Sequence, residues 1–157
     1  MNVRIFVHAI ATYSHRMKND VLEKIRDRSV VAAVTHDHAR VWLLNDESRD
    51  PVCEVTRATP IVRHVRAAQD HHGHASEVAE VPYFTELAAV LSVASNVVLV
   101  GHGVGKSNAV NRFINHLDVH REALRNRIAA TGTANITAMS GGQIIEEARR
   151  KWAQADH

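Results

Sequence analysis

The clearest hydrophobic pattern in the chain begins at Val30. Two short apolar runs, residues 30–34 and 39–44, are separated by the four polar residues THDH, which is the length of a hairpin turn. A third run, residues 52–59, alternates apolar and polar positions, as a half-buried strand does. The pattern therefore predicts three consecutive antiparallel strands that form a meander.

A long polar segment separates this meander from the next apolar elements. Residues 60–80 show no sustained hydrophobic period and are predicted to form a long loop. From Pro82, a residue that suits the first turn of a helix, apolar side chains recur at helical spacing as far as Leu91. The run from Asn96 to Val100 is short and almost wholly apolar, which is typical of a strand buried on both faces.

The last third of the chain alternates between helical and extended patterns. The elements predicted there are helices at 110–117, 120–127 and 144–153 and a strand at 128–136. A meander followed by helix-strand-helix units predicts the α/β class, with helices packed around one mixed sheet. At this length we expect a single domain over residues 29–157, preceded by an N-terminal extension of uncertain structure, residues 1–28.

Composition narrows the classes of function. The chain has one cysteine in 157 residues, so an intramolecular disulfide is excluded, and it lacks an apolar stretch near the ~20 residues that span a bilayer. We therefore expect a cytoplasmic protein without a membrane partner. The net charge is +2, but residues 102–157 hold eight Lys or Arg against five Asp or Glu. An anionic partner is expected to meet this basic third of the chain.

The segment GHGVGKS, residues 101–107, joins the apolar strand to a helix and contains the parts of a phosphate cradle. Its spacing departs from a Walker A loop, because Val100 occupies the position where that loop requires its first glycine. Nucleotide hydrolysis is therefore not expected, whereas binding of an RNA phosphate is. A tight turn that needs small residues is the structural alternative. The candidate phosphate-binding groups are Gly101, Gly103, Gly105 and Lys106.

A histidine-rich stretch lies in the predicted loop. His71, His72 and His74 are close together, and three imidazoles suffice for an open zinc site. Adjacent histidines in a polar loop are weaker evidence for a metal than histidines at i and i+4 on a helix. We assign no metal to them and expect a loop that reaches RNA or is simply polar.

The segments PYFTELAAVLSVASNVVLVGHGVGKSNAVNRFINHL, LRNRI and GGQIIEEAR together resemble a family of small bacterial proteins described as translational machinery components. That family is related to the central domain of the archaeal and eukaryotic peptide-chain release factor and to Pelota. The resemblance covers roughly residues 30–153. It implies the mixed α/β fold of that central domain, which a ribosomal protein of the small subunit shares, and a role in translation.

The segment MSGGQIIEEARR raises a specific question, because release factors use Gly-Gly-Gln to hydrolyse peptidyl-tRNA. In the release factor's central domain the catalytic tripeptide lies in a loop that corresponds here to residues 70–77. A second glycine turn precedes that domain's last helix, and Gly141-Gly142-Gln143 falls at this second turn. We therefore expect a helix start with its N-cap at Ser140 or Gly141. Hydrolysis through Gln143 is the alternative.

These observations favour a non-catalytic protein that binds RNA or the ribosome, in rescue, hibernation or a related role, without a cofactor. The expected partner is the ribosome, ribosomal RNA or tRNA. A homodimeric partner-binding module without RNA affinity is a further alternative. Beside the glycine turn, the candidate contacts to the RNA backbone are Arg112, Arg121, Arg125 and Arg127.

Overall fold

A computed structural model of the chain describes residues 19–57, 74–103 and 108–155. Within them, one five-stranded sheet has the order β3-β2-β1-β4-β5. Its strands are β1 (Ser29–Val34), β2 (His38–Leu43), β3 (Cys53–Thr56), β4 (Asn96–Gly101) and β5 (Ile128–Thr133). The pairs β1–β2 and β2–β3 are antiparallel, whereas β1–β4 and β4–β5 are parallel. The predicted meander and the mixed sheet are confirmed.

Helices cover both faces of this sheet. They are α1 (His74–Leu91), α2 (Ala109–His120), α3 (Glu122–Arg125) and α4 (Gly141–Ala155), with a 3-10 turn at Ile136–Ala138. None of the helices in the described residues is both long enough and apolar enough to cross a membrane.

The strand residues divide between two cores by alternation. Val97 and Leu99 of β4 point into the core under α1 and α2, where Phe84 and Phe113 make an edge-to-face contact at 5.3 Å. Val98 and the other alternate residues of β4 point into the core under α4. Burial of β4 on both faces confirms the prediction made from its apolar run, and the fold is a three-layer α/β sandwich.

Several element boundaries differ from the sequence prediction; the helix predicted at 120–127, for example, is only the short α3. Helix α1 begins at His74, so residues 74–80, expected in a loop, are helical, and Pro82 lies inside the helix. The polar stretch before Pro82 is rich in Ala and Glu, which are good helix formers that an apolar period does not detect. The last strand ends at Thr133, because the buried Ile136 turns under α4 in a 3-10 turn. Helix α4 begins at Gly141, three residues before the apolar pattern at Ile144 and directly after Ser140, one of the two N-caps expected.

Part of the predicted N-terminal extension packs against the domain. Residues 19–25 are helical, and Ile25 is fully buried in the core under α1 and α2. The carbonyl of Arg28 accepts a hydrogen bond from the Ser95 amide at 2.9 Å, which ties this segment to the turn before β4. Residues 1–18 lie outside the described residues.

Candidate functional site

The glycine turn after β4 is held against the start of α2. A Cβ on Gly101 would lie 2.5 Å from Oδ1 of Asn108 and 2.7 Å from Cγ2 of Val110. Gly103 has a φ of 92°, in the left-handed region that favours glycine. Gly101 is therefore required by the side chains packed against it and Gly103 by its backbone conformation, which agrees with a tight turn that needs small residues.

Asn108 joins the two ends of this turn. Its side chain is buried, accepts a hydrogen bond from the Val110 amide at 2.8 Å, and donates one to the carbonyl of Gly103 at 3.0 Å. The first bond is an N-cap, and the second fixes the turn on the helix that follows it. The first turn of α2 contains no acidic residue, so no carboxylate of that turn opposes an anion at its positive end. Gly105 and Lys106 lie outside the described residues.

Arg112, one of the four candidate arginines, is bound within the protein. Its Nε and Nη2 donate to the two carboxylate oxygens of Glu80 on α1, at 2.7 and 2.5 Å. Glu80 is buried, with 9% of its surface exposed, and therefore needs this partner. A free phosphate contact, as expected from the sequence, conflicts with this pairing, and Arg112 serves instead to join α1 to α2.

The other three candidate arginines lie at the opposite end of α2 from the glycine turn, about 18 Å away along the helix. Arg121 follows α2 and is exposed. Arg125 makes an ion pair with Asp118 at 3.2 Å, in which both side chains are about half exposed. Arg127 donates through Nη1 to the carbonyls of Ser92 at 2.5 Å and Ala94 at 3.3 Å. The predicted site is thus divided between two edges of the sheet.

A fourth arginine, which the sequence reasoning missed, lies at the same end of the strands as these three. Arg28 immediately precedes β1, just as Arg127 immediately precedes β5, and both strands flank the start of β4. Their backbones are therefore two strand spacings apart, about 10 Å. Arg28 is exposed and makes no ion pair within the described part of the chain. We call the group Arg28, Arg121, Arg125 and Arg127 the basic edge.

The Gly-Gly-Gln segment forms the start of α4, and the Gln143 side chain caps this helix. The backbone N–H of Gln143 donates to Oγ of Ser140 at 3.3 Å, and the backbone N–H of Ser140 donates to Oε1 of the Gln143 side chain at 2.8 Å. This reciprocal pair is a capping box. The prediction of a helix start with Ser140 as N-cap is confirmed, and Gln143 lies in the first turn of a helix, not at a loop tip.

The first glycine of the segment is required by close packing. A Cβ on Gly141 would lie 2.3 Å from the carbonyl oxygen of Arg49 and 2.8 Å from Nε1 of Trp42. That indole nitrogen donates to the same carbonyl at 3.0 Å, and the Trp42 ring is buried. Gly142 is less constrained, because a Cβ there would meet only the side chain of Arg49, at 3.2 Å. The letters GGQ are accounted for by packing and capping.

A groove of about 1100 Å³ lies between this helix start and the loop 45–49. Its charges cancel locally, since Glu146 pairs with Arg149 at 2.9 Å and Glu147 with Arg150 at 2.5 Å. Such a surface has no excess positive charge to attract RNA.

Two further sets of reactive side chains are Cys53 and the histidine-rich stretch. Burial raises the pKa of the Cys53 thiol to about 11, and Glu86 adds to the shift, so Cys53 is a neutral thiol at neutral pH. His71 and His72 lie outside the described residues, and His74 is the first residue of α1. In the described ranges, His, Cys, Asp and Glu do not form a group of three that would hold a metal ion.

Comparison with known proteins gives a similarity of fold. No protein-family model and no curated sequence matches the chain. Among solved structures, the chain is similar to Pelota from Archaeoglobus fulgidus, with 15% sequence identity and a TM-score of 0.49. The match covers 87% of this chain and 35% of that one, so the chain spans about a third of the length of Pelota. The relation is a weak one, and it says nothing about binding or activity.

Proposed function

We propose that this protein binds RNA without catalysing a reaction, and that its partner is the ribosome, through ribosomal RNA or tRNA. The observation that carries the proposal is the basic edge, where the backbones of Arg28 and Arg127, from two distant parts of the chain, lie about two strand spacings apart. Guanidinium groups form bidentate hydrogen bonds to phosphate, and phosphate contacts supply most of the affinity in sequence-independent RNA binding. The resemblance of the sequence to translational machinery components supports the choice of partner.

The bonds already made by these arginines leave them able to bind phosphate. Arg28 and Arg121 are exposed and make no ion pair in the described part of the chain. Arg127 uses Nη1 for the two carbonyls, which leaves its Nη2 free to donate. The half-exposed ion pair of Arg125 with Asp118 is worth at most about 1 kcal/mol and exchanges readily for a phosphate.

The glycine turn is a second place for a phosphate in this proposal. The positive end of α2 and the side chain of Lys106 would bind it there, since no acid in the first turn opposes an anion. Because the turn and the basic edge lie on opposite edges of the sheet, the two contacts act on separate parts of a bound RNA.

The basic edge can be tested by the salt dependence of binding to a fluorescent single-stranded RNA. Three to five phosphate contacts predict a log-log slope of about −2 to −3.5 for the dependence of the association constant on salt. The double variant Arg28→Ala/Arg121→Ala is expected to reduce the slope by about 1.4, because each lost phosphate contact removes about 0.7.

The matched control is Arg150→Ala/Arg149→Ala, which removes two exposed arginines from the opposite face of the sheet. It is expected to leave the slope unchanged. If both double variants reduce the slope equally, the effect comes from overall charge, and the basic edge is not the binding surface. A loss confined to Lys106→Ala would move the site to the glycine turn.

Failure of the wild-type protein to bind RNA at low salt would overturn the proposed function itself. Sedimentation velocity over a range of concentrations then tests the homodimeric alternative, which predicts a mass that rises with concentration. Hydrolysis through Gln143 is not proposed, because the side-chain oxygen caps α4.

A further inference from the structure

Two histidines lie one helical turn apart at the C-terminal end of α2. His116 and His120 occupy positions i and i+4, whose side chains share one face of a helix. Their ring centroids are 4.6 Å apart, with an angle of 42° between the ring planes. His120 is exposed and His116 is half-buried. Within the described part of the chain, neither ring makes a hydrogen bond or an ion pair, so their nitrogens remain available to a ligand.

The His116 ring is held in place by aromatic side chains. It stacks on Phe113, with centroids 6.4 Å apart and planes at 11°, and it contacts Phe84 at 5.7 Å. Both phenylalanines are buried in the core. A ring already fixed by its neighbours loses little conformational freedom when it binds a ligand, which favours binding.

The position of the pair at the end of α2 favours a cation. His120 lies in the last turn of α2, whose carbonyl groups carry partial negative charge and attract a cation.

We propose that His116 and His120 form a two-histidine binding site for a borderline divalent transition-metal ion, of the class of Zn²⁺, Ni²⁺ and Cu²⁺. Imidazole nitrogen suits these ions, and histidines at i and i+4 on a helix supply two adjacent ligands in known zinc sites. Water completes the coordination. The affinities follow the general order for nitrogen ligands, with Cu²⁺ tightest. Mg²⁺ prefers oxygen ligands and is not bound.

The test is thermal unfolding of the full chain with and without Zn²⁺. A metal that binds the folded state raises the unfolding temperature, and wild type is expected to show such a rise with Zn²⁺ and none with Mg²⁺. His120→Gln is expected to abolish the rise while leaving the unfolding temperature without metal unchanged, because His120 is exposed. His116→Asn, which removes the other ligand, is expected to abolish it too.

The chain contains twelve histidines, so the controls must separate this pair from the others. His102→Gln removes a single exposed histidine outside α2, and His71→Gln/His72→Gln removes the two adjacent histidines; both are expected to keep the full rise. Calorimetric titration of His120→Gln and His116→Asn with Zn²⁺ should show binding weaker than in wild type. The expected factor is at least the roughly 10–100-fold that loss of an outer-shell partner costs. A rise retained in His120→Gln, or lost only in His71→Gln/His72→Gln, would overturn the proposal.

Discussion

Two helices of this protein begin after glycine-containing turns, and the glycines at the two starts have different neighbours. At the start of α4, Gly141 is pressed against the carbonyl of Arg49 and the Trp42 ring, and Gln143 completes a capping box. At the start of α2, Gly101 and Gly103 shape a turn that the Asn108 side chain closes. The sequence at the start of α4 resembles the Gly-Gly-Gln tripeptide of release factors, and the sequence before α2 resembles a phosphate-binding loop. The contacts of each glycine, and not the sequence alone, show why a glycine is needed there.

The largest expected effect distinguishes the two glycines of Gly-Gly-Gln. Gly141→Ala places a Cβ 2.3 Å from the Arg49 carbonyl oxygen, which the Trp42 indole holds by a hydrogen bond, and should reduce the free energy of unfolding by about 3 kcal/mol. Gly142→Ala meets only a flexible arginine side chain and gains helix propensity, so it should be neutral or slightly stabilising. Urea unfolding of both variants measures the difference. Equal losses would show that packing at Gly141 is not what the segment requires.

The second largest effect concerns the ion pair of Arg112 with Glu80, which joins α2 to α1. Arg112→Ala leaves the buried carboxylate of Glu80 without its bidentate partner. We expect a loss of about 2 kcal/mol in the free energy of unfolding, less than for a fully buried pair because Arg112 is partly exposed. The double variant Arg112→Ala/Glu80→Gln should recover part of the loss. If Arg112 has only a structural role, Arg112→Ala lowers the stability and leaves the RNA affinity unchanged. A smaller salt dependence of RNA binding in Arg112→Ala would instead make Arg112 a phosphate contact.

A third prediction compares the two caps directly. Asn108→Ala removes a buried cap together with the bond to the Gly103 carbonyl, and should cost about 1.5 kcal/mol. Ser140→Ala removes an exposed cap and should cost about 1 kcal/mol. Chemical unfolding at constant pH gives both values. A larger cost for Ser140→Ala than for Asn108→Ala would reverse the order that burial imposes.

The smallest effect tests the use of Gln143. Gln143→Ala removes one half of the capping box and should cost about 0.5 kcal/mol, whereas Gln143→Glu puts a carboxylate oxygen in the place of the amide oxygen and should retain stability. Peptidyl-tRNA incubated with an excess of wild type, or of either variant, should remain intact. Hydrolysis by wild type that both variants lose would make Gln143 a catalytic residue.

The sequence predicted the sheet well and the basic edge poorly, for physical reasons. Short alternating runs specify strands locally, and Ser140 with Gln143 three residues later is a local signal for a helix start. Arg28 lies about a hundred residues from Arg127, and only the order of β1, β4 and β5 brings them together. The pairing of Arg112 with Glu80 likewise depends on how α1 crosses α2. The local sequence pattern therefore predicts the helices and strands, whereas contacts between distant elements decide which arginines are paired within the protein.

The most direct test of RNA binding through the basic edge is co-sedimentation of the purified protein with ribosomes through sucrose gradients at low and moderate salt. We predict that the wild-type protein sediments with ribosomal particles at low salt and leaves them as salt rises. Arg28→Ala/Arg121→Ala should be released at lower salt than wild type or Arg150→Ala/Arg149→Ala. Absence of the wild-type protein from every ribosomal fraction at low salt would contradict the account.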